Sequence, residues 1–423
     1  MPQASIVIPC YNASAYIAQT LESARRQTME DLEIICIDDG STDDTATILQ
    51  KQAAEDTRIH IFTQKNAGEG PARELGRIKA TGKWLYFLDA DDLMERTLLE
   101  EACAQGEKTR ADIVIFKTRE LDNQTGELRP FHWSFVYDWL IDTHDMSTRE
   151  KKAILEDPAQ ALAHITLDGM PYVFCPREHP ERIFNSFQNW VHNKLFRKSF
   201  VDARGLYFQQ VHRTADLLFT CRALAEADRI SLLPKELHQY RVNNSNSALF
   251  TSDAYPLDFY EAFLELRRAL ETKGLWTLYR DSFCNWAQEG VSMNLARARS
   301  FESFMAIVHC MRDEKGLAKL GFLQSSRASA INPDRWDRCY ALLHNSTEEL
   351  LFLYFALERA QKTAAETEAS RMRKSLQKLY DSRALRLGEA AIPLVDKPIV
   401  QWAIRVFALH QAFHVRRSTN DKQ

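Results

Sequence analysis

The chain has 423 residues, 45% of them hydrophobic and 26% charged, with a net charge of −4 at pH 7. That length can bury two or three cores. The near-neutral balance gives no global attraction to nucleic acid, and no run reaches the roughly 18 uninterrupted apolar residues that a membrane span needs.

Strand and helix alternate from the start. Apolar runs at 5–9 and 32–37 read as strands, and Tyr16, Ile17 and Leu21 set a helical spacing across 13–27 between them. A helix over 42–54 capped by Ser41 or Thr42, a strand at 59–62, a helix over 70–80 and a strand at 83–88 follow. A helix over 95–106 and a strand at 112–116 complete the pattern. It predicts an α/β fold: a mixed, mainly parallel Rossmann-like sheet with helices on both faces.

Residues 117–190 are less regular. A hairpin-like piece at 120–128 leads into the aromatic run 131–139, which would suit an insertion core or a wall for a sugar ring. Order returns at 193–198 and 205–208, then a helix over 215–225, a short strand at 230–233, and Tyr240-Arg241 before an Asn/Ser-rich stretch to Ser247. From 254 to 380 the pattern is helical throughout, with 346–380 fitting a coiled-coil arm or part of a bundle. In the tail, Arg371, Arg373, Lys374, Lys378, Arg383 and Arg386 face a single acid, Asp381. Ile399, Trp402, Val406, Leu409 and Phe413 then recur at helical spacing. An anionic membrane surface, the chain's own bundle or a second copy would each accommodate that tail. The expected organisation is a catalytic domain over 1–250, an all-α accessory region over 251–380 and a basic, amphipathic tail over 381–423.

Eight scattered cysteines form no Cys-x-x-Cys pair and read as reduced thiols of a cytoplasmic protein. The N-terminus enters a strand without the basic stretch and apolar core of a secretory signal.

The run from Trp84 to Asp92 carries the chemistry: apolar residues that end in Asp89, Asp91 and Asp92. Asp is poor in strands and costly to bury unpaired, so these carboxylates call for something that offsets their repulsion. A hard cation, Mn²⁺ or Mg²⁺, carrying phosphates is one answer. A solvated turn in which Asp92 caps the following helix is the other. In such sheets ligands bind beyond the carboxyl ends of the strands. Three clusters fall there: Pro9-Cys10-Tyr11-Asn12, the run from Asp38 and Asp39 to Asp43, and Asp89-Ala90-Asp91-Asp92. Independent surface turns have no reason to share one edge, so the three predict a single polar site.

Together with Asn66-x-Gly68, Ala72-Arg73, Asn193-Lys194-Leu195-Phe196-Arg197, Asp216-Leu217-Leu218-Phe219 and Tyr240-Arg241, these motifs resemble the family 2 inverting glycosyltransferases of the GT-A fold, over residues 1–250. The run from Ser382 to Gly388 is similar to the tail of bacterial members that build lipopolysaccharide, capsule and other surface glycans. The resemblance implies inverting transfer of a sugar from a UDP-sugar to a hydroxyl of a glycan or lipid-linked acceptor, with Mn²⁺ or Mg²⁺. It places uracil recognition on Asp39, with Asp38 beside it and Pro9, Tyr11 and Asn12 as the base-binding wall. A carboxylate accepts the imide N–H that cytosine lacks. Asp91 matches the metal-ligating acid, Asp89 and Ala90 the donor side, and Arg73 a donor-contacting position.

The general base of the family falls on Asp216. Members usually place Glu before it; this chain has Ala215, which leaves base strength and acceptor preference open. Lys194, His212, Arg213 and Arg241 are further candidates to touch acceptor or diphosphate. The missing spans and the missing Gln-x-x-Arg-Trp motif point to a non-processive enzyme, cytoplasmic or peripheral on the inner face of the cytoplasmic membrane. Self-association through the helical arm stays open. Two readings compete. A sugar-nucleotide nucleotidyltransferase would need a Gly-rich, Arg/Lys-bearing loop after the first strand, where this chain has Pro9 to Asn12. A nucleotide-sugar-binding assembly protein without turnover would be consistent with Ala215 and the long helical arm.

Overall fold

A computed structural model describes residues 1–131, 140, 164–187, 189–243, 253–347 and 349–350. The aromatic run beyond Phe131, the Asn/Ser stretch after Asn243, the 346–380 arm beyond residue 350, and the basic and amphipathic tail lie outside the described residues. Met1–Leu343 forms one compact unit.

Ten strands form the main sheet: β1 (Ala4–Cys10), β2 (Leu32–Asp38), β3 (Ile59–Thr63), β4 (Trp84–Phe87), β5 (Leu93–Met94), β6 (Ile113–Asp122), β7 (Leu128–Pro130), β10 (Val173–Phe174), β11 (Lys194–Arg197) and β12 (Ile230–Val242). A separate pair, β8 (Thr166–Leu167) and β9 (Met170–Pro171), makes a two-stranded ribbon. The order is β10-β12-β6-β11-β4-β1-β2-β3, with β5 on β12 and β7 on β6. β1 lies parallel between β2 and β4, β3 is parallel to β2, and β12 is parallel to β6. β11 runs antiparallel between β4 and β6. The sheet is thus mixed and mainly parallel, as the alternation predicts.

Helices α1 (Ile17–Arg25), α2 (Thr45–Glu55), α3 (Glu69–Lys79) and α4 (Leu98–Thr109) follow the first strands. Then come α5 (Ile183–Ser186), α6 (Lys198–Arg204) and α7 (Asp216–Glu226). The remainder of the described chain is helical: α8 (Asp258–Thr272), α9 (Trp276–Arg297), α10 (Phe301–Arg312), α11 (Gly316–Lys319) and α12 (Pro333–His344), with short 3-10 turns between the last two. Ile6, Ile8, Ile34, Tyr86 and Phe87 are wholly buried, as strands covered on both faces require. Among the described residues no helix is long and apolar enough to cross a membrane. All eight cysteines are free, and seven are buried.

Among the boundaries that depart from the sequence reading, three bear on the site. α2 begins at Thr45 rather than 42, because Asp43 takes both the Thr45 amide (3.0 Å) and its hydroxyl on one carboxylate oxygen. α4 begins at Leu98 rather than 95, because Leu93 and Met94 pair with Gln239 and His238. Asp92 is therefore no helix cap: it is wholly buried and accepts the Arg241 amide (2.8 Å). β12 runs for 13 residues rather than four, since β6 accompanies it past a register shift around Glu236.

Candidate functional site

Backbone contacts draw the ends of β1, β2 and β4 together. The Asp39 amide donates to the Cys10 carbonyl (2.8 Å), and the Leu88 amide to the Val7 carbonyl (3.0 Å). Asn12, left-handed at φ 48°, accepts the Thr42 amide on its side-chain oxygen (2.8 Å) and donates its own amide to the Ser41 hydroxyl (3.1 Å). Gly40 is left-handed as well (φ 73°), and a Cβ there would come within 2.9 Å of the Asn66 amide nitrogen, so glycine fits this turn best. The Pro9–Asn12 and Asp38–Asp43 stretches consequently form one wall, with Tyr11 exposed at its rim.

Asp38 and Asp39 are both buried in that wall. Asp38 accepts the Ser41 amide (3.0 Å). Asp39 accepts from the Gln64 side chain (2.7 Å) and from the Ala67 and Gly68 amides (2.9 Å each). A carboxylate offers about four lone-pair positions, so the loop ahead of α3 takes three and leaves one, on Oδ2.

Arg73, 1% exposed, ties three acids together. Its Nη2 donates to Asp89 Oδ1 (2.6 Å) and pairs with Glu69, while Nη1 reaches Asp216 Oδ1 (3.2 Å). Burial disfavours the guanidinium charge, but Glu69, Asp89 and Asp216 together outweigh it and hold the proton on more firmly than usual. Burial alone would raise Asp89; the Arg73 charge and a His192 hydrogen bond overcome it and hold this carboxyl well below the ordinary carboxylate range. Asp216 opens α7, where the helix dipole favours a negative charge. One guanidinium thus joins the acidic turn after β4 to the start of a helix 143 residues beyond Arg73 itself.

Behind this turn lies a buried column that the sequence reading missed. His192 and His238 stack with ring centroids 4.3 Å apart and planes 15° apart, and Tyr240 stacks on both His192 and Trp190. Asp92 Oδ2 sits 3.1 Å from His238 Nε2. Burial, then the Asp89 charge, push Asp92 up to about 8, and burial pulls His238 down to about 3. Burial thus disfavours the charged form of both groups. Asp92, His192 and His238 each offer a ligand atom within 4.8 Å of the others and could hold a metal ion. With the rings stacked, no single ion lies in the plane of both imidazoles, so coordination would require one ring to turn. Asp89 and Asp91 are half-buried on the same turn, and carboxylate oxygens are the donors that a hard cation prefers.

The remaining sequence candidates sit at different depths. Arg241 is spent beneath the turn: Nε donates to the Asp91 carbonyl (2.6 Å), Nη1 to Asn123 (3.1 Å) and Nη2 to Gln19 (3.0 Å). Lys194 is wholly buried, and its ammonium donates to the Phe187 and Trp190 carbonyls (2.7 Å each) and the Asn193 side chain (2.8 Å). Burial draws it down to about 7. His212 and Arg213 lie on the loop entering α7, both amides donating to Asp258 (2.9 and 3.0 Å), with the His212 ring stacked on Tyr255 (3.8 Å). Glu69 escapes the sequence reading because nothing local marks it. His238 could have been found by alternation, two residues before Tyr240 on one strand face.

Residues 5–202 match the family model described as Glycosyl transferase family 2. A Bacillus subtilis protein bearing the glycosyltransferase name EpsH is 28% identical over 282 residues, 64% of this chain and 71% of that protein. Escherichia coli chondroitin synthase is 36% identical over 148 residues, which cover 35% of this chain and only 21% of the synthase. The crystal structure of S. aureus TarS 1–349 in complex with UDP-GlcNAc superposes with a TM-score of 0.52 at 19% identity, over 80% of this chain and 90% of that one. Sheet order and shared architecture agree on the GT-A fold, and residues 5–202 are similar to family 2 glycosyltransferases.

Proposed function

We propose that the enzyme moves a sugar from a UDP-sugar to a hydroxyl of a glycan or lipid-linked glycan, with inversion, in the assembly of a bacterial surface polysaccharide. The observation that carries this reading is the Arg73 clasp, which puts Asp89 and Asp216 on one guanidinium at 2.6 and 3.2 Å. The acids read as donor-side and acceptor-side then meet on one side chain. The TarS complex with UDP-GlcNAc and the polymer-building names of the relatives support the donor and acceptor classes.

Asp39, with one lone pair to spare, accepts the uracil imide, and the wall of Pro9, Tyr11 and Asn12 shapes the base pocket. Asp91 would hold Mn²⁺ or Mg²⁺, with Asp89 and Ala90 toward the ribose and Asp38 beside Asp39; the bound cation would supply Lewis acidity toward the departing diphosphate. Arg73 offers guanidinium donors on the same side. Asp216 takes the proton of the acceptor hydroxyl as it attacks, a step that contributes on the order of 10²–10⁴-fold. His212 and Arg213, on the loop into α7, border the acceptor side. Peripheral contact with an anionic membrane through the basic tail belongs to the same reading.

The test is UDP release from a panel of UDP-sugars with Mn²⁺, with and without an acceptor lipid. Asp216→Asn is expected to abolish transfer and retain UDP binding. A protein that binds UDP-sugars but never turns over with any acceptor would favour the assembly role instead.

A further inference from the structure

We infer that Glu69 is a positioning residue for the base, supplying from α3 the second carboxyl group that Ala215 does not supply from α7. The inference rests on the reading of Asp216 as base. Ala215 is wholly buried, and α3 is packed against it: a Cβ placed on Gly70 would lie 2.8 Å from the Ala215 Cβ and 2.2 Å from the Gln209 carbonyl oxygen. The space a longer side chain at 215 would enter is already filled by the first turn of α3. Glu69 opens that same turn, and its carboxyl meets Arg73 Nη2 one helical turn on. The other terminal nitrogen of that guanidinium holds Asp216. A carboxyl thus reaches the base site from a neighbouring helix.

The consequence is geometric. A guanidinium free to grip a carboxylate with both terminal nitrogens engages both its oxygens. Here Nη2 is engaged by Glu69 and Asp89, so Arg73 holds Asp216 through Oδ1 alone. Among the described residues, Oδ2 of Asp216 accepts no hydrogen bond, which leaves it to the incoming hydroxyl. The charged groups facing Glu69 are Arg73, Asp89 and Asp216. Burial, with Asp216 and Asp89, raises the Glu69 carboxyl against the pull of Arg73.

The experiment measures kcat and donor KM of the full chain by UDP release with Mn²⁺ and acceptor, across pH, for wild type, Glu69→Ala, Glu69→Gln and Asp216→Asn. Glu69→Ala lets Arg73 close on Asp216, so kcat falls about tenfold while donor KM changes less than about twofold. The tighter pairing also moves the acidic limb of the kcat profile to lower pH. Glu69→Gln keeps an oxygen for Arg73 and recovers most of the lost rate, and it serves as the working variant should the alanine protein fail to fold. Wild-type kcat with an unmoved limb in Glu69→Ala overturns the inference, as does a loss confined to donor KM or a glutamine variant no better than alanine. Normal turnover in Asp216→Asn would instead remove the base assignment itself, whatever Glu69 does.

Discussion

Replacing Arg73 with methionine removes the one charge that three carboxyl groups share and keeps most of the side chain's volume. Arg73 is 1% exposed and its partners Asp89, Asp216 and Glu69 are 24%, 16% and 37% exposed, so these pairs lie between dry interior and surface. At an effective dielectric near 20, charges about 4 Å apart interact by about 4 kcal/mol, and guanidinium desolvation offsets part of that. Removing the cation also leaves like charges together, so the expected loss at pH 8 is about 2–3 kcal/mol. For a unit of this size that lowers Tm by roughly 5 °C. The pH trend follows from what remains. Carboxyls facing each other without a cation have folded-state pKa values raised above their unfolded ones, so their stability is present at low pH and is lost as pH rises through the folded values. The deficit of Arg73→Met against wild type should thus be largest at pH 8 and shrink toward pH 5. Paired thermal melts in EDTA at both pH values measure it. An equal deficit at both, or none at pH 8, refutes the shared-charge reasoning.

Other perturbations separate the layers of the site. Asp92→Asn keeps an acceptor for the Arg241 amide and imitates a protonated carboxyl, so it should cost less than about 1 kcal/mol in denaturant unfolding, whereas Asp92→Ala should cost about 2–3. Because Asp92 is raised to about 8, wild-type stability should decline as pH rises through that value, and the asparagine variant should lack the decline. Asp56 is lowered to about 2, chiefly by its Arg58 hydrogen bond; the cost of Asp56→Ala, about 1–2 kcal/mol at neutral pH, should fade as pH drops from about 4 through about 2. Calorimetric UDP affinity should fall at least tenfold on adding EDTA, and Asp91→Ala should lose the cation dependence; an affinity indifferent to both would count against the cation assignment.

The first half of the fold was legible because buried parallel strands write themselves as apolar runs: 32–37 and 83–88 lack polar alternation and end in acids. Convergence of the three clusters on one edge followed from topology alone. What stayed hidden depends on partners far away in the chain. β11 is short and ordinary in sequence, and only the flanks of β4 and β6 make it an antiparallel insertion. Leu93 and Met94 read as the approach to a helix until His238 and Gln239 pair with them. Asp92 carries every local mark of a helix cap and is buried against an imidazole instead. Arg241 and Lys194 look like ligand contacts by residue type, yet each of their side-chain nitrogens already donates to a carbonyl or an amide side chain. Glu69 gives no signal at all, since its meaning depends on a helix that begins 147 residues later (216 − 69).

A crystal soaked with a UDP-sugar and Mn²⁺ tests the shared cleft most directly. Anomalous scattering should place the manganese on Asp91 beside the diphosphate, with uracil on Asp39 and the face of the anomeric carbon opposite the diphosphate turned toward Asp216. Manganese bound elsewhere, or a sugar whose open face points away from Asp216, would contradict the account.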